Sequence, residues 1–115
     1  MSAPNTDPPK ERRADTRHIC HRPCLVRFDR RRFDGRPGRV GAEGALVDLS
    51  ACGLGLLLRS AVPLGTTLAV SPLGTHQSAL PLACVVHCVL GEGRWYYGCG
   101  LARRLREEEL SAWLT

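Results

Sequence analysis

Apolar and polar positions alternate along most of this chain, and the period is that of strands. Between 20 and 28, Cys24, Val26 and Phe28 fall on one face, with Arg22 and Arg27 among the outward candidates, as in a half-buried strand. Residues 45–49 predict a second strand, 50–53 a turn and 54–59 a returning strand whose Leu54, Leu56 and Leu58 share a core face. A strand over 67–71 lies between the turn signals Pro63-Leu64-Gly65 and Pro72-Leu73-Gly74-Thr75. The stretch 80–90, rich in Val and Cys, reads as a long buried strand, and Gly91-Glu92-Gly93 closes a hairpin onto 95–101. The segment 29–44, with four glycines and five arginines, predicts a long, mobile hairpin connection. Only the end changes period: Leu105, Leu110, Trp113 and Leu114 recur at helical spacing. Glu107, Glu108 and Glu109 sit early in that segment, where acids complement the helix dipole. Short strands, Gly and Pro turns and no intervening helix predict an antiparallel barrel, with the terminal helix capping one opening.

Length and charge narrow this picture. A chain of 115 residues is one domain with a single core. Residues 1–10, with three prolines among polar residues, are expected to be a disordered leader, and 11–115 the folded domain. No apolar run reaches the ~18 residues of a bilayer span, and the first residues lack the apolar stretch of a secretory signal. A cytoplasmic protein is expected. The net charge of +5 is uneven: eleven basic and five acidic residues in 1–39 give +6, and five against six in 40–115 give −1. The excess suits an anionic partner near the N-terminal end. With fifteen arginines against one lysine, position and spacing must carry any argument from arginine.

Several chemistries find little support. The six cysteines read as small, mostly buried apolar residues. His18, Cys20, His21 and Cys24 crowd together, as do Cys84, His87 and Cys88, but neither group has CxxC spacing, and neighbours on a strand face opposite ways. Cys84 and Cys88 share a face with Val86, as a buried strand requires. No metal or cofactor is expected. The run Arg30-Arg31-Arg32, with Arg36 and Arg39, could meet a phosphate backbone, but aromatics for base stacking are scarce nearby, so nucleic acid is not the expected partner. No nucleophile stands beside a base and no P-loop exists; the chain is not expected to be an enzyme.

Two short motifs remain. Arg13-Ala14-Asp15-Thr16-Arg17 is RxxxR, and Asp48-Leu49-Ser50-Ala51-Cys52-Gly53 is DxSxxG. An arginine fork grips phosphate or a guanine edge and stacks on bases. Asp48 can accept from guanine N1 and N2, Ser50 offers a hydroxyl, and Gly53 lets the backbone approach a planar ligand. The first motif precedes the first strand and the second sits at a strand–turn–strand junction. With the segments VPLGTTLAV, LACVVHCVL and YYGCGL in order, and EEELSAWL behind them, the chain resembles the PilZ domains, bacterial receptors for cyclic di-GMP, from Glu11 to its end. It departs from their usual pattern at Leu101, where they often have Phe. The resemblance implies a six-stranded antiparallel β-barrel with a short C-terminal helix. It implies contacts of Arg13 and Arg17 with phosphates and guanine, of Asp48 and Ser50 with a second guanine, and a surface shaped by Gly53; Arg12 could reach a phosphate. A downstream protein partner would receive the signal. The alternatives are a PilZ-like interaction module without ligand and a basic nucleic-acid-binding barrel.

Overall fold

The computed structural model describes residues 15–31, 37–74 and 78–114. Six strands, β1 (His18–Arg31), β2 (Pro37–Leu49), β3 (Gly53–Leu58), β4 (Thr67–Pro72), β5 (Ala83–Leu90) and β6 (Trp95–Leu101), precede one helix, α1 (Glu107–Leu114). The strands close an antiparallel barrel in the order β1-β2-β3-β6-β5-β4, with β4 pairing back onto β1. The expected fold class, a six-stranded antiparallel barrel with a short C-terminal helix, is the observed one.

Alternation explains the interior. Cys24, Val26 and Phe28 of β1, Leu54, Leu56 and Leu58 of β3, and Leu68 and Val70 of β4 are all buried. Each fully buried leucine or valine contributes roughly 1.5–3 kcal/mol by leaving water. Tyr97 of β6 is the largest fully buried side chain. Its hydroxyl accepts from the Val62 N–H at 2.7 Å and donates to the Ser60 carbonyl at 2.9 Å, so a polar atom is buried without loss of hydrogen bonding.

Two sequence expectations fail here, for physical reasons. The mobile connection expected over 29–44 is largely paired strand: Asp29 stands opposite Arg39 and Arg31 opposite Pro37. Phe28 opposite Val40 carries the apolar face past the barrel rim, and an Arg39–Asp29 contact at 3.5 Å bridges the hairpin. The remainder of the connection, 32–36, lies outside the described residues. The long buried strand expected over 80–90 begins at Ala83, and within it only Ala83 and Val85 are buried. Its register with β6 slips between Val85 and His87, which makes Val86 an extra residue, and such a bulge reverses the faces that follow. Cys84 and Val86 point outward by alternation with the buried Ala83 and Val85, Val86 being 64% exposed, and past the bulge Cys88 turns back to pack against the core.

The helix closes one mouth of the barrel. Trp113 and Leu105 are buried, and Arg22, expected to point outward, is half-buried and donates to the Trp113 carbonyl at 2.9 Å. Glu109 reaches back to accept from the Arg106 backbone N–H at 2.8 Å. That is the reciprocal half of a capping box, and Leu105 and Leu110 occupy the staple positions on either side of it. Arg103 holds the same carboxylate with two bonds of 2.9 and 2.7 Å. These bonds bring the Glu109 carboxyl down to about 2, with the Arg103 bond the larger cause. Among the described residues no helix is long and apolar enough to cross a membrane.

Candidate functional site

A second bulge builds the site. Leu46 pairs with Leu56 but Asp48 pairs with the next residue back, Gly55, so Val47 is the extra residue on β2. Leu46 and Leu49 both turn inward as a result, and Asp48 turns to the outer face. The β5 bulge does the same for His87. Across the outside of the barrel a row then runs Asp48, Gly55, Gly98, His87 over β2, β3, β6 and β5, and a neighbouring row runs Gly53, Gly100, Cys84. Glycines at every second position of two adjacent strands leave room on this face: the Asp48, Tyr96 and His87 side chains lie over Gly55 and Gly98, and the space over Gly100 is open to another group.

A cavity of about 1020 Å³ lies over this patch, with Gly53, Gly98 and Gly100 in its floor. Asp15 to Arg17, Ser50, Cys52, Val86 and His87 line it as well, and Tyr96, in contact with both Asp48 and His87, lies between them. Added to Gly100, a Cβ would meet nothing within 4 Å, because the cavity lies above it; at Gly53 it would come within 2.8 Å of the Cys99 carbonyl oxygen. Ser50 holds the turn into β3: its Oγ accepts from the Gly53 N–H at 3.1 Å and the Cys52 N–H at 3.4 Å. The hydroxyl expected to meet ligand is thus already bonded to its own turn, at the cavity's edge.

Asp48 is only 6% exposed. Its Oδ2 accepts from the Tyr96 hydroxyl at 3.0 Å, and its Oδ1 lies 3.6 Å from Arg17 Nε, too far for a good hydrogen bond. Oδ1 therefore has no hydrogen-bond partner among the described residues. Burial, and after it the bond to Asp48, push the Tyr96 phenol above its ordinary value, which keeps it a donor. Gly55 makes this contact possible, since a Cβ there would collide with Asp48 Oδ2 and come within 2.5 Å of the Tyr96 hydroxyl. Asp48 stands just behind the cavity wall, with Arg17 and Tyr96 in front of it.

The segment before β1 is fastened a second time. Asp15, inside the first motif, receives two bonds from Arg104 in the connection to α1, one of them 3.1 Å. The Cys52 sulfur lies 3.1 Å from the same guanidinium. The Arg104 bond, followed by one from Cys52, holds the Asp15 carboxyl below the usual carboxylate range. Of the residues expected to bind ligand, the structure therefore brings Arg17, Asp48, Ser50 and Gly53 to one place; Arg12 and Arg13 lie outside the described residues. Tyr96, His87, Gly98, Gly100, Asp15 and Arg104 were not anticipated. The spacings Gly53-x-Gly55 and Tyr96-x-Gly98-x-Gly100 carried the signal: same-parity glycines on consecutive strands are wasteful unless something approaches the sheet.

Elsewhere the described residues offer less. The crowded His18, Cys20, His21 and Cys24 do not converge, because Cys24 lies in the core while His21 is exposed. No group of three or more His, Cys, Asp or Glu side chains suited to a metal occurs among the described residues. A smaller apolar cavity of about 480 Å³ opens at the mouth away from α1, beside Phe28, Val62 and Trp95. Compared with models of known protein families, with curated proteins and with solved structures, the chain matches none.

Proposed function

We propose that this chain is a cyclic di-GMP receptor of the PilZ kind, which passes its signal to a protein partner by changing conformation. The observation that carries the reading is the meeting of the two motifs. Residues 15–17 and, far away in sequence, Ser50, Cys52 and Gly53 border one glycine-floored cavity, and the two motifs touch through Arg17 and Asp48. A flat floor suits a planar base, an arginine suits a phosphate, and a buried carboxylate with a spare acceptor suits the two donors on a guanine edge. Arg17 lies in front of Asp48, so a ligand phosphate that draws Arg17 away also frees Asp48 for guanine.

The same exchange supplies a switch. Without ligand, the segment before β1 is held to the barrel by Arg17–Asp48 and Asp15–Arg104. Both pairs have a largely exposed arginine, and such pairs contribute little to stability. A ligand that bonds Arg17 and Asp48 better than they bond each other shifts the segment to a second position, by as much as the difference in affinity. A second reading, a protein-interaction barrel without ligand, draws on Val86, Val89 and Leu90, apolar side chains left exposed along β5.

Calorimetric titration of the purified protein with cyclic di-GMP and cyclic di-AMP decides between them. The receptor reading requires heat with cyclic di-GMP and weaker binding of the adenine analogue, which lacks the donors Asp48 would read. Replacing Arg17 or Asp48 by Ala should weaken binding by about ten- to a hundred-fold, the worth of a charge-assisted bond of roughly 1.5–3 kcal/mol. No heat from the unmodified protein would favour the interaction module.

A further inference from the structure

The cavity is also lined by two rings that neither motif contains. His87 is the exposed residue in register with Gly98. Its Cδ2, Cβ and Cγ lie 3.2, 3.4 and 3.5 Å from the point where a Cβ on residue 98 would stand. The imidazole therefore lies along the strand surface, in the space the glycine leaves. Tyr96, two residues before Gly98 on the same face, meets it edge-on, with centroids 5.9 Å apart and planes at 70°. Tyr96 is itself held through its hydroxyl by Asp48. The imidazole thus packs on the sheet at Gly98 and against a fixed ring set steeply to it. Beside it Gly100 leaves the floor open.

We infer that His87 is a stacking platform for one purine of a nucleotide whose other contacts lie at Arg17 and Asp48 across the floor. The inference rests on the proposed function and adds a division of labour to it. Stacking is tolerant of base identity, because every base has a π face. His87 therefore supplies affinity, while Asp48, whose carboxylate accepts from the guanine N–H donors, supplies the choice of guanine. Tyr96 links the two sides: it donates to the carboxylate and braces the imidazole, so it is a positioning residue for both. Gly98 is the necessary complement, because a methyl group there would lift the imidazole by a few tenths of an ångström.

The test is a titration of cyclic di-GMP into the wild-type protein, His87→Ala and His87→Phe, with a thermal melt on each to confirm folding. Loss of one base–aromatic stack should weaken His87→Ala binding by about five- to a hundred-fold. His87→Phe keeps a flat ring but loses both ring nitrogens, and should bind close to wild type. A wild-type protein that binds while His87→Ala binds equally well overturns the platform and leaves the receptor reading intact. A Phe variant as weak as the Ala variant, with both folded, also overturns stacking, since hydrogen bonding by the imidazole would then be what matters. A wild-type protein that binds nothing overturns the receptor reading and the platform together.

Discussion

Replacing Gly55 with Ala tests whether the buried Asp48–Tyr96 contact is worth what its geometry implies. The new methyl group would collide with Asp48 Oδ2 and stand 2.5 Å from the Tyr96 hydroxyl and 2.7 Å from its Cε1. All three atoms belong to side chains rather than backbone, so the barrel should survive, but the 3.0 Å bond between them should not. A hydrogen bond to a charged group contributes roughly 1.5–3 kcal/mol. Stiffening the unfolded chain by Gly→Ala returns about 0.4–1 kcal/mol where the backbone permits it. The net loss should be about 1–2 kcal/mol, and a domain of this size should then melt about 4–8 °C lower. The control is Gly100→Ala on the same floor, where the methyl group meets nothing within 4 Å. That variant should be as stable as wild type or slightly more so, while placing a methyl group where a ligand would lie. Thermal and urea unfolding followed by circular dichroism measures both. Equal stability of Gly55→Ala and Gly100→Ala would refute the reasoning, because two glycines with opposite surroundings would then behave alike.

Tyr97→Phe removes the partner of the buried Val62 N–H and of the Ser60 carbonyl, and should cost about 1–3 kcal/mol in urea unfolding; an unchanged midpoint would contradict it. Acid should loosen the helix. The Glu109 carboxyl is held down at about 2 by Arg103 and the Arg106 N–H, so its contribution is fully present above the ordinary glutamate value near 4.5 and is lost as pH falls through about 2. Asp15, also depressed, adds loss in the same direction. In a Trp95→Phe background, fluorescence of the buried Trp113 should therefore shift toward that of exposed indole on acidification, and earlier in Glu109→Gln. Thiol labelling of the native protein should reach the exposed Cys52 and Cys84 first. Cys24 and Cys99 should stay protected, being in the core with thiols pushed up to about 11 and about 12 mainly by burial. Mass mapping of the labelled sites checks the order.

The barrel was legible because alternation reports burial directly. Leu54, Leu56 and Leu58, and the terminal helix with its three early glutamates, needed no tertiary information. What alternation cannot show is where it breaks. The extra residues Val47 and Val86 are ordinary strand formers, and nothing local marks them as bulges; only the pairing with β3 and β6 does. For that reason Cys84, Val86 and Cys88 read as one face, whereas the bulge turns Cys88 inward and leaves Cys84 and Val86 outside. The 29–44 segment misled differently: its glycines and arginines signal a loop, but pairing across the hairpin is supplied by the partner strand rather than by propensity.

The site was half legible. Arg17, Asp48, Ser50 and Gly53 belong to compact motifs, and the structure brings them together. Tyr96 and Gly98 face outward by the plain alternation of β6, and Asp48 and His87 join them only because bulges on β2 and β5 rotate them to the same outer face. No single strand shows that in its own sequence. Asp15 stands at an unspecified position of RxxxR, yet its bonds to Arg104 help fix where the segment lies.

Nuclear magnetic resonance tests the account most directly, because the floor is made of glycines with separable amide signals. Cyclic di-GMP added to the 15N-labelled protein should shift the amides of Gly53, Gly98 and Gly100, together with those of Arg17 and His87. Residues beside the other cavity, such as Val62 and Trp95, should stay in place. Saturation with no shifts, or shifts confined to the Val62–Trp95 mouth, would contradict the claim that this floor receives the nucleotide.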